Sequence, residues 1–157
     1  MACNRQAEED KNTDTNDDLT AFVDPFIGTK NMGHTYPGAT VPFGMVQLSP
    51  ETNFEPMFLE DGSYNKATYR YCSGYQYDDS TIFGFSHTHF SGTGHSDLGD
   101  ILIMPTTGEI ILEPGRANEK GSGYHSAFSH INESAEPGYY SVKLDDYDIT
   151  AEMTASE

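Results

Sequence analysis

Residues 84 to 100 read GFSHTHFSGTGHSDLGD and set His87, His89 and His95 with Asp97 and Asp100 among four of the chain's fifteen glycines. Imidazoles and carboxylates at this density suit three kinds of work. Two histidines spaced by one residue face the same way on a strand, so His87 and His89 are expected to project together, with His95, Asp97 and Asp100 near enough to complete a metal shell. The same imidazoles can instead donate to and accept from the hydroxyls of a neutral sugar. Serines beside them, Ser86, Ser91 and Ser96, raise nucleophilic catalysis, but no strand-turn-helix elbow accompanies them and adjacency in sequence does not make a triad.

Gly92 and Gly94 give the segment freedom at positive φ and room for a ligand against the backbone. It is not a phosphate loop, because the lysine and the following helix are absent. Each histidine taken alone is better explained as a hydrogen-bonded packing residue, whereas the cluster as a whole points to a polar cleft. Glycoside hydrolysis needs two carboxyls across a scissile bond, and spacing in sequence does not reveal such a pair. Asp100 reads as a turn residue, Asp97 as either a turn or a site residue, and Asp145, Asp146 and Asp148 as a solvated turn. Cys72, between tyrosines in an apolar stretch, reads as buried and inert.

The elements that must position this segment are short. With 157 residues the chain fits one domain with its own core. AFVDPFIGT brackets a turn at Asp24-Pro25. FGMVQLSP reads as a strand, TYRYCSGYQYDD carries aromatics on a period near two, STIFGFSHTHF continues as a buried strand, and DILIMPTTGEIIL supplies two more apolar runs. YHSAFSH, GYYSVKL and YDITAEMTA are alternating segments divided by Gly and Pro. Without an amphipathic helix to serve as a crossover, the expected class is all-β, an antiparallel β-sandwich.

Composition narrows the partners. A formal net charge of -17, with 8 Lys and Arg against 25 Asp and Glu, opposes binding to nucleic acid. No run approaches the roughly 20 apolar residues of a membrane span. Residues 1–20 are acidic and polar and are expected to be a disordered linker. Two readings of its start stand side by side: a processed bacterial lipoprotein with a lipid anchor at Cys3, or an arbitrary tail with a chance cysteine. Residues 21–157 are expected to form the β-sandwich domain, as the front part of a larger one.

Three stretches, VDPFIGTKNMGHTYPGATVPFGMVQLSP, GFSHTHFSGTGHSDLGDILIMP and PGYYSVKLDDYDITAEMTA, occur in an order that resembles the amino-terminal domain of glycoside hydrolase family 92, the bacterial calcium-dependent exo-α-mannosidases. The resemblance covers about residues 22 to 155. It implies a sandwich packed on an (α/α)6 barrel, inversion at the anomeric carbon, terminal α-linked mannose on glycans as substrate, and an extracytoplasmic location, in the periplasm or as an outer-membrane lipoprotein. It also implies that the catalytic acid and base lie in the missing C-terminal barrel, so that no catalytic residue and no metal ligand is assigned here. Calcium is then expected in the full-length parent and not in this chain alone. His87, His89, Gly92, His95 and Asp97, with His34 of NMGHTYPGA, are carried over as substrate-lining candidates. The alternatives are a stand-alone carbohydrate-binding sandwich and a metalloprotein using His87, His89 and His95.

Overall fold

A computed structural model describes residues 19–41, 43–92 and 94–155. Cys3 and most of the acidic linker lie outside the described residues, and the first described element is a 3-10 turn at Leu19–Phe22. The expected turn follows, with the Phe26 amide donating to Asp24 Oδ1 at 2.9 Å and the Ile27 amide to the Asp24 carbonyl at 3.2 Å.

The architecture is all-β and antiparallel, as expected of a β-sandwich. Strands β1 (Ser49–Glu51) and β3 (Gly84–Ser86) form one pair, β2 (Thr81–Ile82) and β4 (Ser126–Ala127) a second, and β5 (Glu133–Glu136), β6 (Tyr139–Leu144) and β7 (Ile149–Thr154) a three-stranded sheet in that order. The last sheet follows from its pattern. Tyr140, Val142 and Leu144 alternate inward along β6, Met153 faces the same layer from β7, and Asp145 to Asp148 supply the tight turn between them. These side chains join Phe85, Ile82, Phe128, Tyr75 and Ala39 in one core cluster. Each fully buried aliphatic side chain contributes about 1.5–3 kcal/mol.

The expected strand through STIFGFSHTHF is buried but broken. At Phe83 the chain leaves the β2 register, and Gly84 adopts φ 149° with its α-carbon against Leu102, where a Cβ would come within 2.8 Å of Leu102 Cδ1. β3 then ends at Ser86 and the backbone bends at His87. Two further expectations are corrected. TYRYC does not extend: Lys66–Tyr71 is a 3-10 helix, because Asn65 caps it through its side chain to the Ala67 amide at 3.1 Å. In DILIMPTTGEIIL only Ile103 pairs, as a bridge to Phe85, while Ile110 and Leu112 are 80% and 82% exposed and face no layer among the described residues.

Candidate functional site

Where β1 and β3 end side by side, three polar side chains meet. Ser86 Oγ donates to Glu51 Oε1, and His89 Nε2 lies 2.5 Å from that same oxygen and 3.0 Å from Ser86 Oγ. Ser86 has committed its proton to the carboxylate, so both neighbours of Nε2 accept, and Nε2 carries a proton. Serine and carboxylate therefore share one ring nitrogen, which excludes a relay from serine through histidine to acid. The opposite nitrogen, Nδ1, is buried without a partner among the described residues. Gly74 closes the cluster. Its φ is +79°, and a Cβ there would sit 2.5 Å from Glu51 Oε2 and 2.6 Å from His89 Nε2.

The loop that follows is pinned at both its base and its tip. His89 forms an antiparallel bridge with Leu98, and the Gly99 amide donates to the Thr88 carbonyl at 2.7 Å. At the tip, the Gly92 amide donates to the His34 carbonyl and His34 Nδ1 donates to the Gly92 carbonyl, each at 2.8 Å. Gly92 itself adopts φ +76°. His34 lies edge-on to Tyr69, with ring centroids 4.9 Å apart, and its Nε2 is buried without a partner among the described residues.

The candidates thus divide. His34 and His89 are buried, while Gly92, His95 and Asp97 are exposed and His87 is half-exposed. His95 tilts over the Tyr64 ring at 5.1 Å, and Asp97 Oδ1 accepts from the Leu98 amide at 2.8 Å. His87 and His89 do not project together, which corrects the strand-based expectation. Strand alternation stops at Ser86, and His87 Nδ1 turns instead to the Ile101 carbonyl at 2.9 Å. His87 borders an apolar groove of 290 Å3 beside β7, whereas His89 borders a polar pocket of 200 Å3.

That polar pocket also holds residues that sequence reasoning missed. Glu51, Asn53, Glu55, Tyr71 and Thr68 line it together with Asp97. Asn53 and Glu55 continue into a larger neighbouring cavity of 680 Å3, where Arg70, Asp78 and Asp79 join Tyr71. Burial, reinforced by the Asp79 carboxylate, pushes the Tyr71 phenol up to about 12, so it remains a neutral donor. Glu51, Asn53 and Glu55 fall where the sequence shows only the end of a strand and a polar loop, and Tyr71 lies in the misread aromatic segment. No local pattern marks them.

Three carboxylates beside one histidine invite a test for calcium, which takes six to eight oxygen ligands. Among the described residues no group of three or more His, Cys, Asp or Glu side chains is arranged to hold a metal ion. These side chains therefore do not group into a carboxylate shell for calcium among the described residues, and His87, His89 and His95 do not come together as a zinc site. What the pocket can do is exchange hydrogen bonds with a neutral, hydroxyl-bearing ligand: carboxylates accept, and the phenol and amide donate.

The sequence profile of the glycosyl hydrolase family 92 N-terminal domain matches residues 22–157. A family GH92 alpha-mannosidase of Bacteroides thetaiotaomicron, solved in complex with mannoimidazole, is 47% identical with a TM-score of 0.76, over 88% of this chain and 17% of that one. A family GH92 inverting mannosidase of the same organism is 26% identical with a TM-score of 0.59, over 87% of this chain and 16% of that one. An uncharacterized secreted glycosidase of Arthroderma benhamiae is 34% identical over 143 residues, which is 89% of this chain and 16% of that protein. The chain thus spans about one-sixth of the length of the relatives it matches.

Proposed function

This chain belongs to the glycosyl hydrolase family 92 N-terminal domains, and from that premise we propose that it forms one wall of the substrate pocket of an inverting exo-α-mannosidase acting on terminal α-linked mannose. The observation that carries the reading is the polar pocket beside the twice-pinned histidine loop. In this reading Asp97 faces the glycan from the polar pocket, with Gly92 and His95 on the exposed loop beside it, His34 and His89 hold the loop from within, and His87, on the separate apolar groove, is left out of the wall. Fixed donors and acceptors would orient the terminal sugar, so the contribution of this domain is positional. The catalytic acid and base, with any calcium, would belong to a C-terminal barrel outside this chain, which would leave the chain inactive alone. The resemblance to a secreted glycosidase supports a location outside the cytoplasm; the lipid anchor at Cys3 stays a proposal for the segment outside the described residues.

The test is a titration of methyl α-D-mannoside and of an α-linked mannobiose into the chain, followed by calorimetry, with free mannose measured alongside. Weak saturable binding without mannose release supports the reading. Release of mannose would overturn the assignment of catalysis elsewhere. Tight micromolar binding would favour an independent carbohydrate-binding module.

A further inference from the structure

The trio at the ends of β1 and β3 does more than fill space. Glu51 reaches across 38 positions of sequence to His89, whose side chain is 3% exposed, while its own side chain keeps 16% exposure on the pocket side. Ser86 takes part through the same carboxylate oxygen. A charge-assisted bond at 2.5 Å in a buried setting orients both partners, and the site is kept clear by a glycine whose positive φ and missing Cβ nothing else at that position would reproduce. His89 is also the first residue of the bridge that closes the loop, opposite Leu98. Leu98 adopts φ 71°, a conformation a branched side chain holds only under constraint.

We propose that Glu51 is a positioning residue: by accepting the Nε2 proton of His89 it fixes the base of the 89–98 loop, and with it the exposed surface of Gly92, His95 and Asp97. The link from loop order to glycan binding rests on the pocket reading above; the link from Glu51 to loop order does not. Glu51 is legible in this role only from the fold, since a 3-10 helix and two strands, β2 and β3, separate it from the loop.

The experiment uses the full chain in three forms: wild type, Glu51→Gln and Glu51→Ala. Nitrogen-15 imidazole NMR reads the His89 ring, and amide hydrogen exchange is followed at Gly99, at the loop base, and along the β6–β7 ladder. In the wild type His89 shows a protected Nε2–H. Glu51→Ala is expected to lose that protection and to raise exchange at Gly99 about tenfold while the ladder is unchanged, the size set by loss of one hydrogen bond to a charged group. Glu51→Gln keeps a carbonyl acceptor and is expected to fall between the two. An unprotonated Nε2 in the wild type, unchanged exchange at Gly99 in Glu51→Ala, or an equal rise across the ladder would overturn the proposal. If Glu51→Ala does not fold, Glu51→Gln decides alone: a selective rise at Gly99 supports the proposal, and wild-type exchange there overturns it. A mannoside titration on the same samples keeps the two readings apart. Loop protection that depends on Glu51, in a chain that binds no mannoside, removes the pocket reading and leaves this one standing.

Discussion

His34 and Gly92, 58 positions apart, are joined by a reciprocal pair of hydrogen bonds, amide to carbonyl in one direction and imidazole Nδ1 to carbonyl in the other. The pair ties the tip of the histidine loop to the turn that follows Ile27, so two segments of the candidate wall move as one. His34 holds this geometry at φ 52°, where few residues other than glycine and asparagine are comfortable. His34→Ala is expected to cost about 2 kcal/mol, from the lost bond and the vacated ring contact with Tyr69. His34→Asn, which tolerates the backbone angle, should cost less. Urea denaturation of the two variants checks the order.

Gly74 and Gly62 offer a controlled comparison, since both adopt positive φ near +80° but only Gly74 has neighbours where a side chain would go. Gly62→Ala is expected to cost about 1–2 kcal/mol from backbone strain alone. Gly74→Ala adds a clash with the pinned Glu51 and His89, for a total of about 3 kcal/mol. Equal losses in the two variants, read from denaturant midpoints, would show that the cluster yields freely.

Glu133 is a buried hub. It accepts from Tyr140 at 2.6 Å, from Tyr75 at 3.2 Å and from His130 Nδ1 at 2.5 Å, while His130 Nε2 donates to the Tyr77 carbonyl at 2.7 Å. Glu133→Ala strands these donors and is expected to cost about 3–5 kcal/mol. Tyr140→Phe removes one donor and is expected to cost about 1–2 kcal/mol. Thermal unfolding of the pair should preserve that ranking.

Burial, and after it the Glu133 charge, raises the Tyr75 and Tyr140 phenols far above the usual value of 10.0. The folded chain then keeps protons that the unfolded chain releases above that value, so the stability these phenols contribute is present below it and is lost as pH rises beyond it. Tyr71, pushed up to about 12, adds to the slope between those two values. The buried Tyr75 and Tyr140 phenols each add about 1.4 kcal/mol of lost stability per pH unit in this window, and the half-buried Tyr71 adds less because solvent screens it. From neutral pH up to that value these phenols leave the urea midpoint unchanged, and above it the midpoint is expected to fall. Phenolate absorbance for Tyr75 and Tyr140 should appear together with unfolding and not ahead of it.

Apolar side chains on the outside carry their own expectation. Phe43, at 97% exposure with φ 85°, and the Ile110 and Leu112 pair present surface that water does not favour. The isolated chain is expected to self-associate, and a double change of Ile110→Ser and Leu112→Ser should shift it toward monomer in sedimentation velocity. A sharp monomer boundary for the unchanged chain would contradict this.

Sequence alone determined whatever depends on neighbours in the chain. The two-residue alternation of YYSVKL and ITAEMT with acidic turn residues between them specifies a hairpin, and long contiguous motifs specify the family. The same local logic failed where a cap or a bend outweighed the pattern: Asn65 turned an aromatic stretch into a 3-10 helix, and the bend at His87 sent two histidines to different pockets. Only the tertiary structure decided which site residues hold and which are held. Glu51 meets His89, and His34 meets Gly92, through bonds spanning 38 and 58 positions, and no periodicity within either segment encodes a partner that distant. Folding brings them together because packing of the sheets, not local preference, places the end of β1 against the loop that leaves β3.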